Sequence, residues 1–249
     1  MTQQEKVAGA DPEGGVEALY PFLYSGGNRA DTVMSEVVRS VVGKAEEIVA
    51  LRRTVLERDR ERILRCAEDM AERFARGGRL LAFGNGGSST DAQDLVSLFL
   101  NPTGNPRPLP AFGLTNDVAV LTALSNDVGF DVVFARQIAA FARPQDIAVG
   151  LSTSGNSANL LRAFDEAARR GLLTVGIAGY DGGRMAELDS VDHLFVVPSS
   201  SVHRIQEAQT TLYHVLWELT VTTLDRRRRA GGPEMARSRA GRDPGEEET

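Results

Sequence analysis

The sequence predicts an α/β fold, a parallel sheet flanked by helices, in a single domain over residues 31–225. Three observations predict it. Short apolar runs recur without strict alternation, as in strands buried on both faces. Segments with helical spacing separate these runs. Two polar stretches rich in glycine or serine stand directly after apolar runs and before helical segments, where such sheets bind ligands. The composition agrees. Of 249 residues, 42% are hydrophobic and 25% charged, which excludes wholesale disorder and fibrous repeats. A net charge of −6 argues against a whole-protein electrostatic grip on nucleic acid. The single cysteine, Cys66, excludes an internal disulfide and a Cys-rich zinc site, and fits a reducing cytoplasm. Residues 1–15 show no apolar core of a secretory signal, and no apolar run approaches the roughly 20 residues that span a bilayer.

Residues 1–30 carry Gly9, Gly14, Gly15, Gly26 and Gly27 and few periodic apolar positions. They read as a flexible arm. Either its patch Leu19-Tyr20-Pro21-Phe22-Leu23-Tyr24 docks somewhere, or the arm is unstructured throughout. Asp31 or Thr32 can cap a helix that carries Val33, Val37, Val41, Ile48, Leu51 and Val55 at helical period. Ile63, Ala67, Met70 and Phe74 repeat the spacing until Gly77-Gly78 stops it. Joined near Arg58, the two read as an amphipathic N-terminal helical hairpin that must pack on something.

The pattern then switches. Strands are expected at Leu80–Phe83, near Ala111–Leu114, and at Ile147–Leu151, Leu173–Ala178 and His193–Val197. Helical segments fall at about 88–100, 117–125, 130–142, 157–170 and 183–188. A long helix from Arg204 to Leu224 buries Ile205, Ala208, Leu212, Val215, Leu216 and Leu219. Residues 226–249 read as a disordered charged tail, with nothing to bury. The run Arg226–Arg229 invites a nucleic-acid reading, but Glu246–Glu248 partly offset it, and arginines in a last helical turn suit the helix dipole.

Two strand ends carry the chemistry. After the first strand comes Gly84-Asn85-Gly86-Gly87-Ser88-Ser89-Thr90. Its glycines let backbone amides approach a ligand, or simply make a tight turn. It lacks the Gly-Lys-Ser/Thr of a nucleotide-binding P-loop, and Ser89 stands where the third glycine of a dinucleotide fingerprint belongs. The second is Ser152-Thr153-Ser154-Gly155-Asn156-Ser157. Its hydroxyls and the N–H groups of the following helix suit a phosphate monoester without any Lys or Arg. A plain N-cap with a polar loop is the alternative. Two such loops at neighbouring strand ends strengthen the functional reading of each.

With Ser125-Asn126-Asp127 and Arg204-Ile205-Gln206-Glu207 added, these loops resemble the sugar isomerase (SIS) family, closest to its phosphoheptose isomerase branch. The resemblance runs from about residue 35 to 224. That branch has a sister group that binds the bacterial replication initiator instead of doing isomerase chemistry. The resemblance implies a single SIS domain with a five-stranded parallel sheet. It also implies a cytoplasmic homotetramer whose N-terminal helices pack together, with sugar-phosphate sites shared between subunits. Ser152, Thr153, Ser154 and Ser157 then match the phosphate cradle. Asn85, Gly86, Gly87 and Ser88 match the neighbouring substrate loop, and Asp127 and Gln206 match further substrate contacts. His214 matches a general base for the proton shift between ketose and aldose, and with Gln206 it matches two positions of a zinc site.

This chain departs from that pattern. The branch carries a His and, four residues later, a Glu on the helix after the glycine loop, both zinc ligands; here they are Asp94 and Leu98. Asp94, Gln206 and His214 remain as a set with one anionic member, weak for zinc or another divalent metal by ligand type. A further active-site position, usually Asp, is His203, a candidate catalytic replacement alongside Asp94. Two functions therefore stand: a phosphosugar aldose–ketose isomerase, an intramolecular oxidoreductase of the sedoheptulose 7-phosphate type with an altered site, or a non-catalytic SIS protein that binds a sugar phosphate or a protein partner and regulates.

Overall fold

The computed structural model describes residues 30–102, 104 and 106–240. The arm before residue 30 and the end of the tail, 241–249, lie outside the described residues. In chain order the elements are α1 (Ala30–Arg58), α2 (Arg60–Ala75), β1 (Leu80–Gly84), α3 (Gly87–Leu100), β2 (Ala111–Gly113) and α4 (Val118–Asp127). Then follow α5 (Val133–Phe141), β3 (Ile147–Leu151), α6 (Ala158–Arg169), β4 (Leu173–Gly179), β5 (His193–Val197) and α7 (Val202–Ala240). Short 3₁₀ turns at Phe130–Val132 and Gly183–Glu187 complete the chain.

The chain divides into two units at Glu47. Of the first, the start of α1 is described; it exposes Met34, Val37, Val38, Val41 and Val42. In the second, five parallel strands are ordered β2-β1-β3-β4-β5. Every residue of β1, β3 and β4 is buried, which explains runs without alternation. Successive side chains point to opposite faces of the sheet. Leu80, Ala82, Val149 and Ile177 meet α2, α3 and α7 through Met70, Phe99 and Leu212. Leu81, Phe83 and Ala148 meet α5 and α6 through Phe134, Ile138 and Phe164. Gly150 makes the second face possible, because a Cβ there would stand 2.5 Å from the Phe164 ring and 2.8 Å from that of Phe83.

Two boundaries differ from the sequence reading. The pair of N-terminal helices is present, but its join is one residue, Asp59, and lacks the reversing turn of a hairpin. The Asp59 amide donates to the Val55 carbonyl (3.0 Å) and the Ile63 amide donates to the Asp59 carbonyl (2.8 Å), so helical bonding passes through. No Gly or Pro lies near the join to turn the chain, and the buried Asp59 carboxylate pairs with Arg58 at 2.6 Å. At the other end, α7 continues to Ala240 past Arg226, where the sequence suggested the tail begins. Arg226–Arg229 are exposed on this extension, so charge replaces burial where helical bonding goes on. Among the described residues no helix is long and apolar enough to cross a membrane.

The helix after β1 covers one face of the sheet and the helix after β3 covers the other. The chain ends of these two adjacent strands thus flank the point where strand order reverses, which leaves a crevice there.

Candidate functional site

Gly84 pairs with Leu151 in the β1–β3 ladder, so the loops that follow lie side by side. At Gly84 a Cβ would stand 2.5 Å from the Ser88 carbonyl oxygen. Gly86 takes φ +56°, and the Ser88 amide donates to the Asn85 carbonyl at 3.0 Å. The Asn85 side chain locks onto Asn159 in a reciprocal amide pair, 2.9 Å in each direction. Asn159 is buried in the first turn of α6, so this pair fixes one loop to the helix that starts from the other.

In the second loop the Gly155 amide donates to the buried Ser152 hydroxyl at 3.0 Å, and the Asn156 amide donates to the Ser154 hydroxyl at 3.2 Å. Gly155 has φ +66°, and a Cβ on it would stand 1.9 Å from the Gly182 carbonyl oxygen; no other residue fits. Ser157 is the N-cap of α6, yet its hydroxyl makes no cap bond. The amides of Leu160 and Leu161 donate to the Ser157 carbonyl at 3.0 and 3.1 Å, so the helix begins directly at this loop. A cavity of about 740 Å³ adjoins this loop, lined by Ser154, Asn156, Tyr180, Asp181, Ser199 and Ser200. A larger, mainly apolar cavity by Phe112, Leu124 and Phe141 includes neither loop.

Helix α7 closes the site. The Gln206 amide donates to Asp91 at 2.8 Å and lies on Gly87, where a Cβ would stand 2.7 Å from Nε2. Burial pushes the Asp91 carboxyl up; the Gln206 bond lowers it and Asp94 adds a smaller rise. Gln209, wholly buried, donates to the carbonyls of Ser152 (3.2 Å) and Ile177 (3.4 Å), tying α7 to the ends of β3 and β4. The Tyr213 hydroxyl donates to Asp94 Oδ2 at 2.7 Å. The same oxygen lies 3.6 Å from His214 Nε2. Burial holds the Tyr213 phenol well above its ordinary range, so it remains a donor. The Tyr213 and His214 rings stack at 5.4 Å. Asp94 and His214 are about half exposed (52% and 46%).

The structure therefore gathers Asn85, Gly86, Gly87 and Ser88 beside Ser152, Thr153, Ser154 and Ser157, with Gln206 over Gly87. It pairs Asp94 with His214. His203 is exposed at the start of α7. It precedes His214 by eleven residues, about 16 Å along a helix, so the two imidazoles do not meet within one chain. Asp127 is exposed at the end of α4 and accepts from the Asn126 amide at 2.8 Å. Of the three metal positions, Asp94 and His214 face each other and Gln206 is turned to Asp91; Leu98, outside that set, packs on the main core without any donor atom. Among the described residues no three His, Cys, Asp or Glu side chains converge as a metal set. One imidazole and one carboxylate already bonded to Tyr213 do not fit a zinc site.

Asp91, Asn159, Gln209 and Tyr213 bond directly to candidate site residues, and sequence reasoning missed them. A polar residue in an otherwise apolar stretch of α6 was the available signal for Asn159; Gln209, among Gln206, Glu207, Thr210 and Thr211, had none of that kind. Nothing in the sequence pairs Tyr213 with Asp94, 119 residues away.

The SIS domain pattern matches residues 45–179. A phosphoheptose isomerase from a Roseiflexus species is 42% identical over 187 residues, covering 75% of this chain and 94% of that one. One from Desulfovibrio desulfuricans is 47% identical, covering 71% and 78%. Among solved structures, a phosphoheptose isomerase from Neisseria gonorrhoeae superposes with a TM-score of 0.68 at 35% identity, covering 74% of this chain and 99% of that one. One from Francisella tularensis gives 0.70 at 30% identity, covering 75% and 98%.

Proposed function

We propose residue roles for a chain that belongs to the SIS domain family and, within it, to the phosphoheptose isomerase branch. As a member of that branch it is a phosphosugar aldose–ketose isomerase. The observation that carries the roles is the pair of interlocked loops at the ends of β1 and β3, with the Asp94–His214 pair on the adjoining helices.

The substrate is sedoheptulose 7-phosphate or a near relative. Its phosphate sits against Ser152, Thr153, Ser154, Ser157 and the start of α6, where neutral donors hold a dianion. Gly86 and Gly87 let backbone approach the sugar. Asn85 and Ser88 contact it, Asn85 using the N–H and lone pair that its amide pair leaves over. Gln206 and Asp127 take sugar hydroxyls. His214 takes the proton from C1 of the ketose, and the C–H electron pair becomes the C1=C2 bond of an enediol as O2 is protonated. Delivery of a proton from His214 to C2, with loss of the O1 proton, gives the aldose; no electron leaves the molecule. His203 has a role only where subunits share a site. The exposed apolar face of α1, Met34 to Val42, supports assembly of a homotetramer through these helices. The single buried Cys66 supports a cytoplasmic setting.

His214→Ala tests the reading: turnover of sedoheptulose 7-phosphate is lost while the fold and phosphosugar binding remain. Ser154→Ala weakens phosphosugar binding; unchanged affinity would remove the cradle from the account. Leu98 is the observation that favours a regulatory, non-catalytic reading, which requires saturable sugar-phosphate binding by the wild type without turnover.

A further inference from the structure

We propose that Tyr213, Asp94 and His214 form a proton-transfer row that works without a bound metal, Asp94 and Tyr213 being positioning residues for the His214 base. The inference rests on the isomerase reading above.

One carboxylate oxygen, Asp94 Oδ2, joins the row: it accepts from the Tyr213 hydroxyl at 2.7 Å and lies 3.6 Å from His214 Nε2. The Tyr213 ring also stacks on the His214 ring, which sets the plane of the imidazole. Tyr213 is itself fixed, with its side chain 1% exposed and its hydroxyl within 3.4 Å of Thr210 Oγ1. A buried, packed phenol thus holds a half-exposed carboxylate against a half-exposed imidazole.

The surroundings withhold a metal's other ligands. A catalytic zinc site takes three protein donors, and this one offers two. Gln206, which could supply a third, donates its amide to Asp91 at 2.8 Å. Leu98, one turn after Asp94 on α3, presents only carbon to the core.

In the reaction, His214 accepts the proton from the sugar carbon and becomes an imidazolium. The Asp94 carboxylate facing it stabilises that cation, and Tyr213 keeps the carboxylate in place. His214 is half exposed, so its imidazolium exchanges that proton with solvent before a proton passes to the neighbouring carbon and His214 returns to neutral. A C–H bond at C1 is exchanged for one at C2 and an O–H bond at O1 for one at O2, so the step needs no oxidant.

The test uses full-length protein, dialysed against a chelator, with metal content measured by mass spectrometry and kinetics measured on sedoheptulose 7-phosphate. The expected result is less than about 0.1 zinc per chain with kcat unchanged by dialysis or by added zinc. Tyr213→Phe, which removes one oxygen, lowers kcat about tenfold or more with KM unchanged, and Asp94→Asn lowers it further. A merely structural role for Tyr213 would instead lower the melting temperature and leave kcat of the folded fraction intact, and that overturns the proposal. The double variant Asp94→His, Leu98→Glu supplies two further donors; it should gain about one zinc per chain and become sensitive to the chelator. Tight stoichiometric zinc in the wild type, with activity lost on chelation and restored by zinc, overturns the proposal and leaves the isomerase reading standing. Saturable sugar-phosphate binding without turnover, with or without zinc, overturns both.

Discussion

The loops after β1 and β3 keep their shape through glycine backbone and a buried amide pair, whereas the Asp94–His214 pair stands on two helices with both side chains about half exposed. At the proposed phosphate end, the contacts that shape the loops are also fold contacts: Asn85–Asn159, Ser152–Gly155 and the Gly155–Gly182 approach. At the proton-transfer end site and fold contacts are separable. A half-exposed side chain such as Asp94 can change there without disturbing the core, whereas Leu98, one turn on, packs against it. Substitutions should therefore sort by end: stability and KM at the loops, kcat alone at the helices.

The largest effect is expected at the exposed base. His214→Ala should lower kcat about 10²–10⁴-fold, roughly 3–5 kcal/mol of barrier. Its stability should move by less than about 0.5 kcal/mol, read from urea unfolding. A large stability loss would break the contrast.

Gly155→Ala comes next, on the other side of the comparison. A Cβ placed 1.9 Å from the Gly182 carbonyl, at φ +66°, should cost about 2–4 kcal/mol in urea unfolding and weaken phosphosugar binding.

Asn85→Ala leaves the Asn159 amide buried without its partner. A loss of about 1–3 kcal/mol is expected, with KM raised more than kcat is lowered. A pure kcat effect would place Asn85 with the proton-transfer group instead.

The smallest effect lies outside both ends. Hydrogen bonds from Arg169 and then Arg170 hold the Glu166 carboxyl below its ordinary range, with burial opposing them in part. A lowered folded value contributes stability above the unfolded value, which is lost as pH falls through the folded one. Glu166→Gln should thus lower the melting temperature slightly at neutral pH, and the difference should shrink as pH falls below the ordinary glutamate range and vanish once the lowered folded value is passed. Turnover should not change.

The sheet was legible because strands buried on both faces write themselves as apolar runs; Ile147–Leu151 and His193–Val197 are found where the pattern puts them. The two loops were legible because glycine and hydroxyl residues follow those runs without interruption. The join was legible to within a residue, near Arg58, but the helical bonding through Asp59 was not, since a one-residue join leaves the helical period almost intact on either side. Asn159, Asp91 and Tyr213 were hidden for a different reason. Each acts through a partner 74 to 119 residues away, and only the folded chain brings the two together. His203 shows the reverse limit: a titratable residue directly before a recognised motif, yet three helical turns from the base it would have to assist.

The most direct measurement is proton exchange itself. The full chain is incubated with sedoheptulose 7-phosphate in D₂O and followed by NMR. An enediol pathway through His214 predicts deuterium at C2 of the aldose and washed into C1 of the recovered ketose, both abolished by His214→Ala. Saturable binding of the sugar with no deuterium at either carbon would contradict it.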